Sequence, residues 1–118
     1  MFNTKNLYLE VDKGWVQLVR DLCDEIKGVY KREKLPMDII VLQVKEKFGE
    51  LRFYYTFDDC KNPKADYSKA HKEVSELVDR WEDKSKTVCE RCGKAGKQVV
   101  NNASWIEVRC DACMKSFE

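Results

Sequence analysis

Histidine occurs once in this 118-residue chain, proline twice and glycine five times. A single histidine, His71, has no second imidazole to work with. There is no GxSxG elbow and no phosphate-binding glycine loop, which removes serine-hydrolase and P-loop chemistry. No run approaches about eighteen apolar residues, so no membrane span is expected. An excess of one charge is missing too. The 22 basic side chains face 21 acidic ones, a formal +1, which indicates neither a strongly basic nucleic-acid binder nor an acidic nucleic-acid mimic. The opening stretch MFNTKNLYLEVDKG lacks the charged-then-apolar order of a signal peptide. A cytoplasmic chain is expected, where cysteines serve as metal ligands, core residues or thiols rather than as disulfides.

What the chain does have is hydrophobic pattern and six cysteines. Residues 12–34 place Trp15, Leu18, Val19, Leu22, Cys23, Ile26, Val29 and Tyr30 on one helical face, with charges opposite. This predicts an amphipathic helix capped by Asp12 and finished before Pro36. Over residues 38–59 the period drops to two. Ile40, Leu42 and Val44 alternate with Val41, Gln43 and Lys45; Leu51, Phe53, Tyr55 and Phe57 alternate with Arg52, Tyr54 and Thr56. Two such runs around EKFGE predict a β-hairpin turning at Gly49. One face packs on helix, and the other would show Val41, Lys45, Arg52 and Tyr54. Ile39 and Val41 on that outer side ask for cover. A partner would provide it, as would a flap from residues 6–11 (NLYLEV) that adds a third strand. Residues 58–64 read as a loop. Residues 65–88 carry the stripe Tyr67, Ala70, His71, Val74, Leu77, Val78 and Trp81, a second helix. The expected fold is α+β: an αββα-like core over residues 1–87, then a small treble-knuckle or zinc-ribbon hairpin over 88–118, packed on or continuous with the second helix.

The pairs Cys89/Cys92 and Cys110/Cys113 have C-x₂-C-x₁₇-C-x₂-C spacing. Zinc takes four soft ligands in a tetrahedron. One CxxC knuckle supplies two, and a second pair brought alongside by a hairpin completes the shell. Gly93 suits the tight turn of a knuckle. A redox dithiol needs only one pair, and disulfides are disfavoured in the cytoplasm. The expected cofactor is one structural Zn²⁺, because a closed four-cysteine shell leaves no position for substrate. Four thiolates and one divalent zinc add −2 to the formal +1, giving about −1. A hairpin this short buries little, so the metal is expected to fold it.

Elsewhere the chemistry is sparse. Cys23 lies on an apolar helical stripe and is expected in the core. Cys60 sits in a polar loop beside Asp58 and Asp59; it reads as a surface cysteine, with a reactive thiol as the alternative. His71 reads as a hydrogen-bonded core histidine. An HNH-type nuclease needs further histidines near its knuckles, and there are none between Cys92 and Cys110. Asp38 with Gln43–Lys45 has a metal-nuclease flavour, but these residues share one strand and bring no acid from a neighbour.

The run VKEKFGELRFYYTF, then a charged helix, then VCERCGKAG…WIEVRCDAC resembles a group of small, mostly uncharacterised phage and prophage-encoded proteins with a KEKFG-L-RFY hairpin and a C-terminal zinc ribbon. The resemblance covers about residues 38–113 and is carried by Lys45–Gly49, Leu51–Tyr54 and the four paired cysteines. It implies origin and architecture, with no assigned activity.

Three functions remain open. The first is a non-enzymatic module that binds a host protein, in the bacterial cytoplasm, and inhibits or modifies it; defence and transcription proteins are the classes in view. The second is nucleic-acid binding by Lys45, Lys47, Arg52 and Tyr54 of the hairpin and Arg91, Lys94, Lys97 and Arg109 of the ribbon. The third is a small enzyme using Cys60 or Asp58 and Asp59. No membrane partner is expected.

Overall fold

Asp12 starts the first helix as its side chain accepts the amide of Lys13 at 2.7 Å. The computed structural model describes residues 9–58, 65–100 and 103–114, and in it this helix, α1, spans Lys13–Glu33. It ends where Lys34 turns left-handed (φ 56°), before Pro36. All eight apolar residues of its predicted stripe are buried.

A short strand, β1 (Leu9–Glu10), precedes α1, and the hairpin follows as β2 (Ile39–Lys47) and β3 (Glu50–Phe57). Phe48 (φ 55°) and Gly49 (φ 71°) form the two-residue turn. Positive φ at both positions gives a backbone twist that matches paired strands. β1 runs parallel to β2, Leu9 against Val44 and Glu10 against Lys45. The N-terminal segment thus adds a third strand, at the sheet edge, in the order β1-β2-β3.

The expected alternation along β2 is corrected by a β-bulge. Val41 pairs with Tyr55 but Gln43 pairs with Tyr54, which leaves Leu42 as the extra residue. One inserted residue shifts the strand's phase by one and exchanges its faces. Ile39 therefore turns into the core with Val41 packed against it, while Ile40 and Leu42 face solvent, Leu42 63 % exposed. This reverses the expectation that Ile40 and Leu42 pack on helix and Val41 points outward. Past the bulge the alternation holds: Val44, Leu51 and Phe53 are buried, and Tyr54 is exposed.

The second helix, α2 (Ser68–Ser85), buries Ala70, Val74, Leu77 and Val78. It also closes the edge of β3. Ser85 Oγ accepts the Leu51 amide and the Glu82 carboxylate accepts the Phe53 amide, each at 2.9 Å. Amides on an edge strand would otherwise invite another strand to pair. Burial pushes the Glu82 carboxyl above its ordinary range, partly offset by the Phe53 amide.

At the start of β2 the buried Asp38 accepts the Tyr30 hydroxyl at 2.6 Å and lies 2.7 Å from His71 Nε2. The His71 ring stacks on Phe57 with centroids 3.6 Å apart. His71 is thus the hydrogen-bonded histidine expected from its place on the helix stripe. Burial, then its bond to Asp38, hold the Tyr30 hydroxyl well above the ordinary tyrosine range. Among the described residues no helix is long and apolar enough to cross a membrane.

Candidate metal centre

Residues 88–96 fold into a knuckle. The Cys89 amide donates to the Lys94 carbonyl at 2.7 Å and the Gly93 amide to the Cys89 carbonyl at 2.9 Å, with Gly93 at φ 84°. Two short antiparallel strands follow, β4 (Lys97–Val100) and β5 (Ile106–Arg109), and then a single helical turn, α3 (Asp111–Met114). Cys110 stands just before α3 and Cys113 within it, and the Met114 amide bonds to the Cys110 carbonyl. The second cysteine pair is therefore presented by a helical turn.

The four sulfurs of Cys89, Cys92, Cys110 and Cys113 lie within 4.8 Å of one another. Cys92 and Cys110 Sγ are 3.5 Å apart. A tetrahedral thiolate shell with metal–sulfur bonds of about 2.3 Å needs sulfurs about 3.8 Å apart. The cluster fits that shell, and the four cysteines are free thiols positioned to hold a metal ion.

The electrostatics prepare the site for a cation. Burial opposes ionisation of Cys89, but the amides of Cys110, Cys92 and Arg91 aim at its sulfur and bring the thiol down to about 6. The Cys113 amide lowers Cys110 in the same way. Cys113 is raised, chiefly through its hydrogen bond to Cys110. A metal ion replaces that shared proton and favours all four thiolates.

A ring of contacts ties the centre to the core. Glu90, in the middle of the first pair, is buried; its carboxylate accepts the Val108 amide at 2.6 Å, and its own amide donates to the Val108 carbonyl at 2.9 Å. The Gly14 amide donates to the Glu90 carbonyl at 2.7 Å, and the Trp15 indole donates to the Val88 carbonyl at 2.7 Å. A second seam joins the β2–β3 turn to the ribbon. Gln98 Nε2 donates to the Gly49 carbonyl at 3.0 Å, and a methyl group on Gly49 would meet Ile106 at 2.7 Å. Phe48 and Trp105 lie side by side there, centroids 6.1 Å apart, 54 % and 47 % exposed.

The other predicted site residues divide. Lys45, Lys47, Arg52 and Tyr54 share the outer face of the sheet, where Arg52 pairs with Glu50 at 3.4 Å. Arg91, Lys94 and Lys97 are exposed on the ribbon. Arg109 is buried, with Nη2 3.2 Å from both Glu107 carboxylate oxygens, and so is built into the ribbon. Cys23 is buried, and burial pushes its thiol up to about 12, the behaviour of an inert core cysteine. The Asp58 amide bonds to the Asp38 carbonyl at 2.7 Å. Asp59 and Cys60 lie outside the described residues.

Gly14, Glu90 and the Phe48–Trp105 pair had no signal in the sequence. Each acquires its role from a segment distant along the chain. No family model, curated protein or solved structure matches this chain.

Proposed function

We propose that this is a zinc-held protein-binding module without catalytic activity, a phage-encoded factor that binds a host protein in the bacterial cytoplasm and inhibits or modifies it. The observation that carries the reading is the face of the three-stranded sheet that is left open among the described residues. The helices pack on the other face. The bulge at Leu42 sends Ile40 and Leu42 outward, and exposed Tyr54 stands on the same face. Large apolar side chains grouped on an uncovered sheet face favour a partner that removes them from water. Zinc is the metal that suits a closed shell of four thiolates, and it supplies only structure there. Cys89, Cys92, Cys110 and Cys113 would hold it. The likeness to phage proteins, carried by the KEKFG hairpin and the paired cysteines, supports the origin.

The test passes a bacterial lysate, half of it nuclease-treated, over the immobilised zinc-loaded protein and over Leu42→Arg. The reading expects one stoichiometric host protein on the wild type, unaffected by nuclease and missing from Leu42→Arg. Identical capture by both proteins would remove the sheet face from consideration.

Nucleic-acid binding stands second, because Lys45, Lys47, Arg52 and Tyr54 do share one face. Capture that vanishes with nuclease, or affinity that falls steeply with salt, would move it to first place.

A further inference from the structure

We infer that the four-cysteine site is a latch on the core. Its occupancy orders the first turn of α1 and the Phe48–Gly49 turn together, so that the exposed Phe48–Trp105 pair exists only in the metal-bound protein. The inference rests on the metal-binding reading and concerns what the metal controls beyond its own ribbon.

The ribbon cannot hold its shape alone. Its strands are four residues each, and Lys97, Gln98 and Val100 of β4 are exposed. A two-stranded hairpin of this size is marginal in water, so the metal supplies its folding free energy. Two parts of the core nevertheless depend on it. At α1, the Gly14 amide and the Trp15 indole donate to the carbonyls of Glu90 and Val88, which flank the ligand Cys89. At the sheet, Gly49 and Phe48 rest on Gln98, Ile106 and Trp105.

Glu90 joins the two seams. Its backbone meets Gly14, and its carboxylate and amide both meet Val108 on β5, the strand that also carries Ile106. The turn backbone itself, with positive φ at both Phe48 and Gly49, belongs to the β2–β3 hairpin. The Phe48 ring is placed differently: it is 54 % exposed and lies against Trp105 of the ribbon, centroids 6.1 Å apart. Release of the ribbon takes away Trp105 and the Gln98 bond to the Gly49 carbonyl, and disperses the aromatic pair.

The three tryptophans report the three relevant places. Trp15 bonds to the knuckle, and Trp105 Nε1 lies 3.5 Å from a Glu46 carboxylate oxygen at the joint. Trp81 bonds to Glu25, within the α1–α2 pair. The experiment labels the full chain with 5-fluorotryptophan, assigns the ¹⁹F signals with Trp105→Phe and Trp81→Phe, and removes zinc with a chelator. Cys92→Ser/Cys113→Ser is measured as a second route to the metal-free state.

The expected result is that the Trp15 and Trp105 signals both shift and broaden, Trp81 stays, helical circular dichroism is kept, and added zinc restores the spectrum. Movement of Trp105 alone would overturn the latch, since α1 would then be independent of the site. Collapse of all three signals with the helical signal would also overturn it, in favour of a chain that folds only on metal. A purified protein that retains no zinc and takes none up on titration would sink the metal reading itself, and the latch with it.

Discussion

The amide of Gly14 donates to the carbonyl of Glu90 at 2.7 Å, and a methyl group on Gly14 would stand 2.4 Å from that same oxygen. The Cys89 carbonyl oxygen is equally close. Both obstacles are backbone, so no side chain can swing aside. Gly14→Ala is expected to push α1 off the knuckle at a cost of about 2 kcal/mol, read as a lower urea midpoint with the slope retained. Zinc affinity should fall with it. An unchanged midpoint would mean that the helix and knuckle are not in contact in solution.

Cysteine replacement separates the shell from its support. Cys113→Ser leaves three thiolates, and zinc binding should weaken by about 3 kcal/mol, roughly a hundredfold in Kd. Competition with a chromophoric chelator measures this. Cys23→Ala lies in the α1 core and should leave zinc affinity where it was while lowering thermal stability. Equal zinc affinity in wild type and Cys113→Ser would exclude the four-sulfur shell.

The Tyr30 hydroxyl donates to a buried carboxylate, a stronger arrangement than a bond between neutral groups. Tyr30→Phe keeps the ring and removes the donor. It is expected to cost about 2 kcal/mol by equilibrium unfolding, because Asp38 stays buried with His71 as its remaining side-chain partner. A loss below about 0.5 kcal/mol would show that Asp38 finds another donor.

Glu82 sets a pH dependence. Its carboxyl is raised above the ordinary value of 4.5, first by burial. The folded state therefore binds this proton more tightly than the unfolded state. Its contribution is fully favourable below the unfolded value and is lost as pH rises through the folded one. Glu82→Gln keeps an oxygen for the Phe53 amide and removes the charge. The variant should gain on the wild type as pH rises above the unfolded value of 4.5, because groups distant from Glu82 titrate alike in the two proteins. A stability difference that stays flat over that range would show that Glu82 titrates normally.

Sequence alone determined the elements whose signal is local. Both helices follow from stripes at helical spacing, because a helix repeats its own face every turn whatever it packs against. The hairpin turn was legible in Gly49, and the four-cysteine cluster in two CxxC pairs a hairpin's length apart. Tertiary structure decided what depends on a second segment. The bulge at Leu42 is a matter of register between β2 and β3; each strand reads as regular by itself, yet the offset exchanges Ile40 and Leu42 for Ile39 and Val41. Arg109 looked like a surface cation until Glu107 and burial enclosed it. Gly14 and Glu90 are 76 positions apart and meet only because α2, packed along α1, carries the chain back to the start of α1. Backbone periodicity is written residue by residue, whereas contacts across the molecule come from packing and leave no periodic mark in the chain.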